Sequence, residues 1–325
     1  MVSASRIDPP GKPTAILTGT TASGKTALAL EFARAHGEIE IVNADSLLVF
    51  RGFDIGTAKP SEAELAEIPH HLVDIRNPEE SFNAGDFILA CDSALKDIHG
   101  RGKRALITGG TGFYLKALIF GLWDSPKSPP EMRARLELLT NEELFARLLE
   151  KDEPSALRIS MGDRYRLLRA LETIESSGKT PTELEAEASA RGAIPGLSLL
   201  ITDRGSDDLK KRIAARSSLM LTEGFVEEVS RLRESYPSAR ALDSVGYVEV
   251  IRYLDGIAPA GRKIEPGTEG LRSEIELATN QLAKRQRTFF GNASRGQFTR
   301  ARDLKFFTLE PDRATLWKTL EDLYC

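Results

Sequence analysis

A glycine-rich segment at residues 19–26 has the sequence G-T-T-A-S-G-K-T and fits the pattern G-x-x-x-x-G-K-[ST]. It follows a short apolar run and opens a helical pattern, the context in which such a segment forms a phosphate-binding loop. Backbone N–H groups and a helix N-terminus then surround a phosphate, a lysine adds positive charge, and a hydroxyl can bind Mg²⁺. We predict a site for a di- or triphosphate, with Thr26 as the metal ligand. Its residues are Gly19, Thr20, Thr21, Ala22, Ser23, Gly24, Lys25 and Thr26.

Asp45 is a second candidate for chemistry, because it follows the second apolar run of the chain directly. Ligands of open α/β sheets bind outside the carboxyl ends of the strands, where both Asp45 and the phosphate loop would lie. A carboxylate there can accept a proton, hold Mg²⁺ through water, or cap a helix that begins at Ser46. Its position in the sequence is compatible with all three roles.

A second glycine-rich turn, G-G-T-G at residues 109–112, ends the fourth predicted strand at the same edge. It is either a plain turn from strand to helix or a second group of hydrogen-bond donors directed at phosphate. The strand ends in Thr108, whereas the metal-binding strand of an ordinary ATPase ends in an aspartate. This difference disfavours an ordinary ATPase.

Positively charged residues are concentrated in three segments, although the formal net charge of the chain is −4. In a predicted helix at residues 271–290, Lys284 lies about 200° around the helix from the apolar Leu282 and therefore points outward. Each segment is either an ordinary solvated face or a surface for a phosphate backbone. The segments contain Arg158, Arg164, Arg166 and Arg169; Lys210, Lys211, Arg212 and Arg216; and Lys284, Arg285, Arg287, Arg295, Arg300, Arg302 and Lys305.

The elements that must position these residues alternate between strand and helix over the first hundred residues, which is typical of a parallel sheet. Strands are predicted at residues 15–18, 38–43, 71–75, 104–108 and 197–202, and helices at 26–35, 82–99, 113–120, over most of 131–191, and from 203 to 290. We predict an α/β protein with a parallel-sheet core of the P-loop NTPase type, an inserted helical domain and C-terminal helices.

Changes in composition predict the division into domains. Three prolines and two serines at residues 124–130 mark one boundary, and the helical pattern breaks again at residues 192–196. We expect a flexible tail at residues 1–13, a core formed by residues 14–123 and 197–325, and a helical insertion at residues 124–196.

Composition also excludes several classes of protein. Apolar residues make up 41% of the 325 residues and charged residues 28%, which excludes a disordered or collagen-like chain. No stretch approaches the roughly 18–20 apolar residues of a membrane span, and residues 1–13 lack the apolar block of a secretory signal. Two cysteines, Cys91 and Cys325, and four histidines without ligand spacing predict neither disulfides nor a zinc site. We expect a cytoplasmic monomer without a membrane partner.

Seven short segments complete the pattern: the phosphate loop, N-A-D-S at 43–46, D-I-G-T-A-K-P at 54–60, P-H-H-L-V-D at 69–74, G-G-T-G-F-Y at 109–114, G-Y at 246–247 and Q-L-A-K-R-Q at 281–286. Together they resemble the tRNA isopentenyltransferase family, the tRNA dimethylallyltransferases. The segments extend over most of the chain, and D-I-G-T-A-K-P and L-A-K-R-Q are far more specific than a phosphate loop alone.

The resemblance implies transfer of a dimethylallyl group from dimethylallyl diphosphate to N6 of adenosine 37, beside the anticodon of tRNA, with Mg²⁺ as cofactor. It implies that the phosphate loop with Lys25 holds the diphosphate, that Asp45 receives the N6 proton, and that Thr111 contacts the leaving group. Another contact comes from either Arg212 or Arg216, with Arg216 slightly favoured. Family stretches that touch tRNA, including those of the C-terminal helices, match Asp45, Ser46, Leu47, Leu48, Arg166, Arg169, Lys284, Arg285 and Arg287.

The chain departs from the family pattern at a few positions. Thr20 replaces a proline of the loop, which removes a stiffening ring but no phosphate donor. Asp243, Val248 and Asn280 stand where basic residues are common, and Phe289 stands where tryptophan is common. The replacements at Asp243 and Val248 disfavour a tRNA contact near Gly246. No Cys/His finger follows the core, which is typical of the bacterial type.

Three other functions are compatible with parts of the pattern. An adenylate isopentenyltransferase, which acts on a free nucleotide, shares the phosphate loop and the aspartate. The helical insertion and the segment at residues 284–286 favour tRNA over that acceptor, because a mononucleotide needs no such surface. A P-loop kinase would transfer a γ-phosphate and leave dimethylallyl diphosphate unused, and a non-enzymatic RNA-binding module would tolerate the loss of Asp45.

Overall fold

The computed structural model describes residues 11–122, 129–190, 193–258, 263, 267–293, 305–309 and 313–324. Within them, six strands form one sheet with the order β3-β2-β4-β1-β5-β6, in which all neighbouring strands are parallel. The strands are β1 (Thr14–Gly19), β2 (Ile39–Asn43), β3 (His70–His71), β4 (Arg104–Gly109), β5 (Leu197–Thr202) and β6 (Lys305–Leu309). The predicted α/β class with a parallel sheet is confirmed.

Helices follow most of the strands. They are α1 (Lys25–Ala35), α2 (Glu62–Glu67), α3 (Ala84–Gly100), α4 (Gly112–Phe120), α5 (Pro130–Glu137), α6 (Asn141–Lys151), α7 (Glu153–Arg158), α8 (Arg164–Ser177), α9 (Pro181–Ala190), α10 (Ser206–Thr222), α11 (Phe225–Ser235), α12 (Tyr247–Leu254), α13 (Gly267–Thr288) and α14 (Arg313–Tyr324). A 3₁₀ turn (Arg240–Asp243) and a π turn (Phe289–Ala293) complete the elements. No described helix is long and apolar enough to span a membrane.

The chain forms two compact units, one of residues 1–6 and 120–193 and one of residues 7–119 and 194–325. In the first unit, the described residues form a helical core in which Leu144 and Leu148 of α6 are buried with Leu167 and Leu171 of α8. Their spacings of four residues place each pair on one face of its helix. The second unit contains the whole sheet and the other described helices.

The core of the sheet unit lies around β1, β4 and β5, whose apolar side chains are buried on both faces as expected for a parallel sheet. The last helix, α14, is anchored there by Tyr324, whose hydroxyl donates to the Ala105 carbonyl (2.5 Å) and accepts from the Ala15 N–H (3.1 Å). The sequence analysis assigned no element after residue 290, so β6 and α14 were missed. Cys91 is buried, and Cys325 lies outside the described residues.

One sequence prediction of local structure is wrong. The strand predicted at residues 71–75 is only His70–His71, because Leu72 and Asp74 have positive φ angles of 63° and 54° and turn the chain away from the extended direction. The helical region predicted at residues 203–290 is confirmed in the described residues as α10 to α13, which are separated by turns, two of which contain the positive-φ residues Gly224 and Gly246.

A buried ionic group holds β2 near the edge of the sheet. The Glu40 side chain points into this group and is almost fully buried, and its carboxylate accepts hydrogen bonds from both Nη atoms of Arg101 (2.6 and 2.8 Å). Its Oε2 also lies 2.7 Å from Nε2 of His71. The hydrogen bonds from Arg101 lower the pKa of Glu40 from 4.5 to about 2, against the opposing effect of burial. The ionised form is therefore the one that stabilises the fold.

We predict that Glu40→Gln lowers the free energy of unfolding by about 3 kcal/mol at neutral pH. Because the pKa of Glu40 is lower in the folded chain, its contribution is complete above pH 4.5 and is lost as the pH falls through about 2. Urea unfolding over this pH range should show the difference between the two proteins shrinking. Glu38→Gln, at an exposed carboxylate 3.5 Å from Arg104, is the control with little effect. A difference that does not change with pH would contradict the prediction.

Candidate active site

The phosphate loop lies between β1 and α1, as predicted from the sequence. Gly24 has φ 91° and opens α1, and a Cβ atom at Gly19 would lie 2.3 Å from the Thr202 carbonyl oxygen. Both positions therefore need glycine, one for backbone conformation and one for close approach to β5. The Lys25 ammonium donates to the Thr20 carbonyl (3.2 Å), which folds the lysine back over its own loop.

A cavity of about 160 Å³ opens beside this loop at the carboxyl ends of β1, β2 and β4. Lys25, Thr26, Asp45 and Arg216 all line it, so residues far apart in the sequence are collected in one site. The rest of the wall is mixed, and its apolar members include Leu47, Val73, Ile213, Met220, Phe225 and Ile275. The cavity thus combines a cationic end with an apolar surface.

Two cations that line this cavity are half-buried. Burial lowers the pKa of Lys25 to about 8, with Asp45 raising it and Arg216 lowering it further. Burial also lowers the pKa of Arg216, and again Asp45 opposes the shift. Two half-buried positive charges thus face one carboxylate. Such an arrangement favours an anionic ligand, because an anion would compensate charges that are only partly hydrated.

Asp45 is held by the backbone around it. Its N–H donates to Oδ1 of Asn43 (2.8 Å), and its own Oδ1 accepts from the Leu47 N–H (3.0 Å). The sequence left open a helix beginning at Ser46. The structure instead has turns there, so Asp45 caps a turn and not a helix. The hydrogen bond from the Leu47 N–H orients the Asp45 carboxylate along the cavity wall.

The second glycine-rich turn packs against the turn at Asp45. A Cβ atom at Gly109 would lie 2.2 Å from the Ala44 carbonyl carbon, so only glycine fits there. The Thr111 hydroxyl accepts from the Ser46 N–H (2.9 Å) and donates to the Ser46 hydroxyl (3.3 Å). Thr111 therefore fixes the turn at Asp45 in this structure, and its contact with a leaving group stays a prediction.

The structure separates the two candidate arginines of α10. Arg216 lines the cavity, and its Nη1 donates to the Thr21 hydroxyl (3.1 Å). Arg212 instead donates from Nε to the Ala22 carbonyl (2.9 Å) and lines a second cavity with Arg204 and residues 23–25 of the phosphate loop. The geometry therefore favours Arg216 as the residue that would contact a bound anion.

Sequence analysis missed Glu228, which shapes one wall of the cavity. Its buried carboxylate accepts hydrogen bonds from three successive N–H groups at residues 54–56 (3.2, 2.7 and 3.2 Å) and from the Tyr247 hydroxyl (2.9 Å). Burial, then the charge of Glu228, raises the pKa of Tyr247. A signal was present, because Glu228 shares one helix face with Phe225, Val229 and Leu232, and a carboxylate on an apolar face needs partners.

The D-I-G-T-A-K-P segment closes over this wall. A Cβ atom at Gly56 would lie 2.3 Å from the Phe225 ring, and the Gly56 carbonyl lies 3.5 Å from Nη2 of Arg216. Lys59 is nearly buried and pairs with Asp54 (2.5 Å) and Asp74. The segment is thus fixed by ionic contacts on one side and by Glu228 on the other.

The residues predicted to contact tRNA have different surroundings. Lys284 and Arg285 of α13 are exposed, as the helical period predicted for Lys284. Arg287 instead donates to Asp203 (3.0 Å) and to the Arg204 carbonyl (2.6 Å). Leu47 and Leu48 line the cavity. Arg295, Arg300 and Arg302 lie outside the described residues.

In the helical unit, the two predicted tRNA contacts already have acidic neighbours. Arg166 is exposed and lies 3.4 Å from Asp163. Arg169 pairs with the buried Glu172 (2.9 Å), which also pairs with Arg133 (2.8 Å). Arg166 is therefore the less constrained of the two.

Comparison with known proteins points to one family. The family model described as IPP transferase matches residues 48–293. The chain is 41% identical to a tRNA dimethylallyltransferase of Citrifermentans bemidjiense over 85% of this chain and 88% of that protein. It is 43% identical to one of Chromobacterium violaceum over 84% of each. The solved tRNA isopentenylpyrophosphate transferase of Bacillus halodurans is similar in structure, with a TM-score of 0.64, 27% identity, and coverage of 96% and 97% of the two chains.

The lowered pKa of Lys25 predicts a pH dependence of anion binding. A bound anion raises the pKa of Lys25, so above pH 8 binding must take up a proton and the affinity falls as the pH rises. Below pH 7 the lysine is already charged and contributes no uptake. Calorimetry with inorganic pyrophosphate in buffers of different ionisation enthalpy, at pH 7 and pH 9, measures this uptake.

Lys25→Arg provides the matched control, because its guanidinium stays protonated at both pH values. Pyrophosphate itself takes up the same number of protons when it binds either protein, so this contribution cancels in the comparison. We expect the native protein to take up more protons at pH 9 than the variant. Equal uptake by the two proteins would show that Lys25 is charged throughout.

Proposed function

The chain belongs to the IPP transferase family and prenylates tRNA, and we propose that it transfers a dimethylallyl group from dimethylallyl diphosphate to N6 of adenosine 37, releasing diphosphate. The observation that supports this most strongly is the shared cavity of Lys25, Arg216 and Asp45. A cationic end suits the diphosphate of the donor, and a carboxylate in the same cavity suits a reaction that must remove a proton.

The leaving group sets the first chemical requirement. As the bond between carbon and oxygen breaks, negative charge develops on the oxygen of the departing diphosphate. The N–H groups of the phosphate loop, the ammonium of Lys25 and the guanidinium of Arg216 are donors of the kind that stabilise it. They are held in place before the reaction, so little reorganisation is needed.

The nucleophile sets the second requirement. An exocyclic adenine amine is weakly nucleophilic because its lone pair is delocalised into the ring, and it becomes acidic as its bond to carbon forms. A base within hydrogen-bond reach must then accept the proton. We assign that role to the carboxylate of Asp45, which is oriented by the Leu47 N–H at the cavity wall.

Mg²⁺ fits the residues of this site. Thr26 lines the cavity with a hydroxyl and Asp45 with a carboxylate, and no group of three or more His, Cys, Asp or Glu residues in the described part of the chain could form a complete metal cage. Mg²⁺ is usually bound by one or two protein groups together with substrate phosphates. When bound, it would neutralise charge on the diphosphate, and Thr26 would hold it.

The acceptor must enter the cavity as a single base. An N6 amine stacked in an anticodon loop is out of reach, so the nucleotide has to turn out of the stack, at an energetic cost of a few kcal/mol. The exposed Lys284 and Arg285 offer positive charge for the loop phosphates, which would make tRNA affinity strongly dependent on salt. The apolar wall with Met220 and Phe225 offers a surface for the dimethylallyl group.

Incubation of the protein with Mg²⁺, dimethylallyl diphosphate and unmodified tRNA, followed by nucleoside analysis, tests the proposal. We expect N6-dimethylallyladenosine at position 37. Replacing tRNA by AMP tests the alternative acceptor, and replacing the prenyl donor by ATP tests a kinase. Product with AMP but not with tRNA would contradict the proposal, as would transfer of phosphate from ATP.

We predict that Asp45→Asn lowers the rate of transfer at least about 10²-fold, because an amide cannot accept the N6 proton. The amide keeps the size of the side chain and can still accept from the Leu47 N–H, so affinity for tRNA should stay within about threefold. Single-turnover assays and filter binding measure the two quantities. A parallel loss of tRNA affinity would instead make Asp45 an RNA contact.

We predict that Arg216→Ala lowers kcat/KM for dimethylallyl diphosphate about 10²-fold, since it removes a cation from the cavity. Arg212→Ala is the matched comparison, because it removes the same side chain from the same helix outside the cavity. The loss there should be about fivefold or less. Steady-state kinetics with varied donor separate the two, and the opposite order of effects would place Arg212 at the diphosphate.

A further inference from the structure

The side chain of Gln286 connects two loops that are remote from it in the sequence. Its Oε1 accepts a hydrogen bond from the Thr21 N–H (2.7 Å), and its Nε2 donates to the Gly110 carbonyl (3.1 Å). Thr21 belongs to the phosphate loop and Gly110 to the second glycine-rich turn. One amide group therefore bridges the two glycine-rich segments beside the cavity.

The space around this amide is tightly restricted. A Cβ atom at Gly110 would lie 2.7 Å from Nε2 of Gln286 and 3.6 Å from Nζ of Lys25. Glycine is therefore needed at position 110 for the glutamine to reach its partner. Gln286 itself lines the cavity together with Lys25 and Arg216, so it lies beside the groups that would hold the diphosphate.

A second connection runs from the next residue of α13 to the other end of the phosphate loop. Arg287 donates to the Arg204 carbonyl (2.6 Å), and the Arg204 guanidinium donates from Nε to the Ser23 carbonyl (2.6 Å). The last turn of α13 thus holds the phosphate loop near both Thr21 and Ser23. Two anchors at separate points restrict both translation and rotation of a loop.

We propose that Gln286 is a positioning residue for the diphosphate, which keeps the phosphate loop at the correct distance from the second glycine-rich turn. This inference rests on the proposed function, because it concerns how that site is arranged for its donor. Gln286 takes no part in proton transfer. It acts through the Thr21 and Gly110 backbones, whose positions decide where the N–H groups of the loop and the Lys25 ammonium point.

The energetic argument depends on preorganisation. A loop that is free to move must be ordered when the diphosphate binds, and that ordering reduces affinity. Gln286 contributes two hydrogen bonds to a partly buried region, and their loss leaves the Thr21 N–H and the Gly110 carbonyl without these partners. The effect should therefore appear in donor binding and not in tRNA binding, although Gln286 lies next to the exposed Lys284 and Arg285.

Gln286→Met tests the proposal, because methionine keeps the length and volume of the side chain but makes neither hydrogen bond. Gln286→Ala removes the side chain as well. For both variants we expect the Kd for inorganic pyrophosphate and the KM for dimethylallyl diphosphate to rise about tenfold. The KM for tRNA and the midpoint of thermal unfolding should stay close to those of the native protein.

Two control variants separate positioning from other roles. Gln281→Ala removes an exposed glutamine from the same helix and should change none of these quantities. Lys284→Ala should raise the KM for tRNA and lower the salt dependence of tRNA binding by about one unit, with the donor KM unchanged. A purely structural role of Gln286 would not raise the KM for the donor while leaving the KM for tRNA unchanged.

Three results would overturn the inference: an unchanged Kd for pyrophosphate in both Gln286 variants, a rise in the KM for tRNA as large as that for the donor, or a loss of kcat and thermal stability with both KM values unchanged. Failure of the proposed function is distinguishable, because the native protein would then form no prenylated tRNA. Pyrophosphate binding reports on the loop in either case.

Discussion

The site depends on two half-buried cations that line one cavity. Burial lowers the pKa values of Lys25 and Arg216, and within the cavity Asp45 is the anion that opposes both shifts. A charge in a poorly hydrated place is unfavourable unless an opposite charge is near. The cavity therefore has an excess of positive charge, which a bound diphosphate would neutralise. A preference for anionic over neutral ligands follows from the same electrostatic imbalance.

Keeping such charges in place requires a rigid backbone, and several glycines make that rigidity possible. Gly109 lets β4 approach the Ala44 carbonyl, Gly19 lets β1 approach β5, and Gly56 lets its segment pack on the Phe225 ring. At each of these positions a Cβ atom would lie within about 2.3 Å of another group. These contacts bring the carboxyl ends of the strands close enough for Lys25, Asp45 and Arg216 to share one cavity.

The local parts of this arrangement could be predicted from the sequence, and the long-range parts could not. The phosphate loop is a continuous segment whose glycines, lysine and threonine specify its conformation, and the central strands are continuous apolar runs. Gln286 and Glu228 act across 265 and 174 residues of chain on backbone groups that have no side-chain signature. The strand at His70–His71 was predicted too long for a related reason. The positive φ angles of Leu72 and Asp74, which end the strand, depend on tertiary contacts of that turn.

The limit of prediction from sequence is clearest for the basic residues of α13 that were expected to contact RNA. Lys284, Arg285 and Arg287 look alike as a basic run, yet only the first two are exposed, and Arg287 is committed to Asp203 and the Arg204 backbone. A helix of 3.6 residues per turn places residues 285 and 287 about 200° apart, so these two arginines of one basic run lie on different faces of the helix. One face of α13 can attract the phosphates of an RNA while the other stabilises the loop that would hold a diphosphate. The last turn of α13 thus lies beside both proposed binding regions, the one for RNA and the one for the diphosphate.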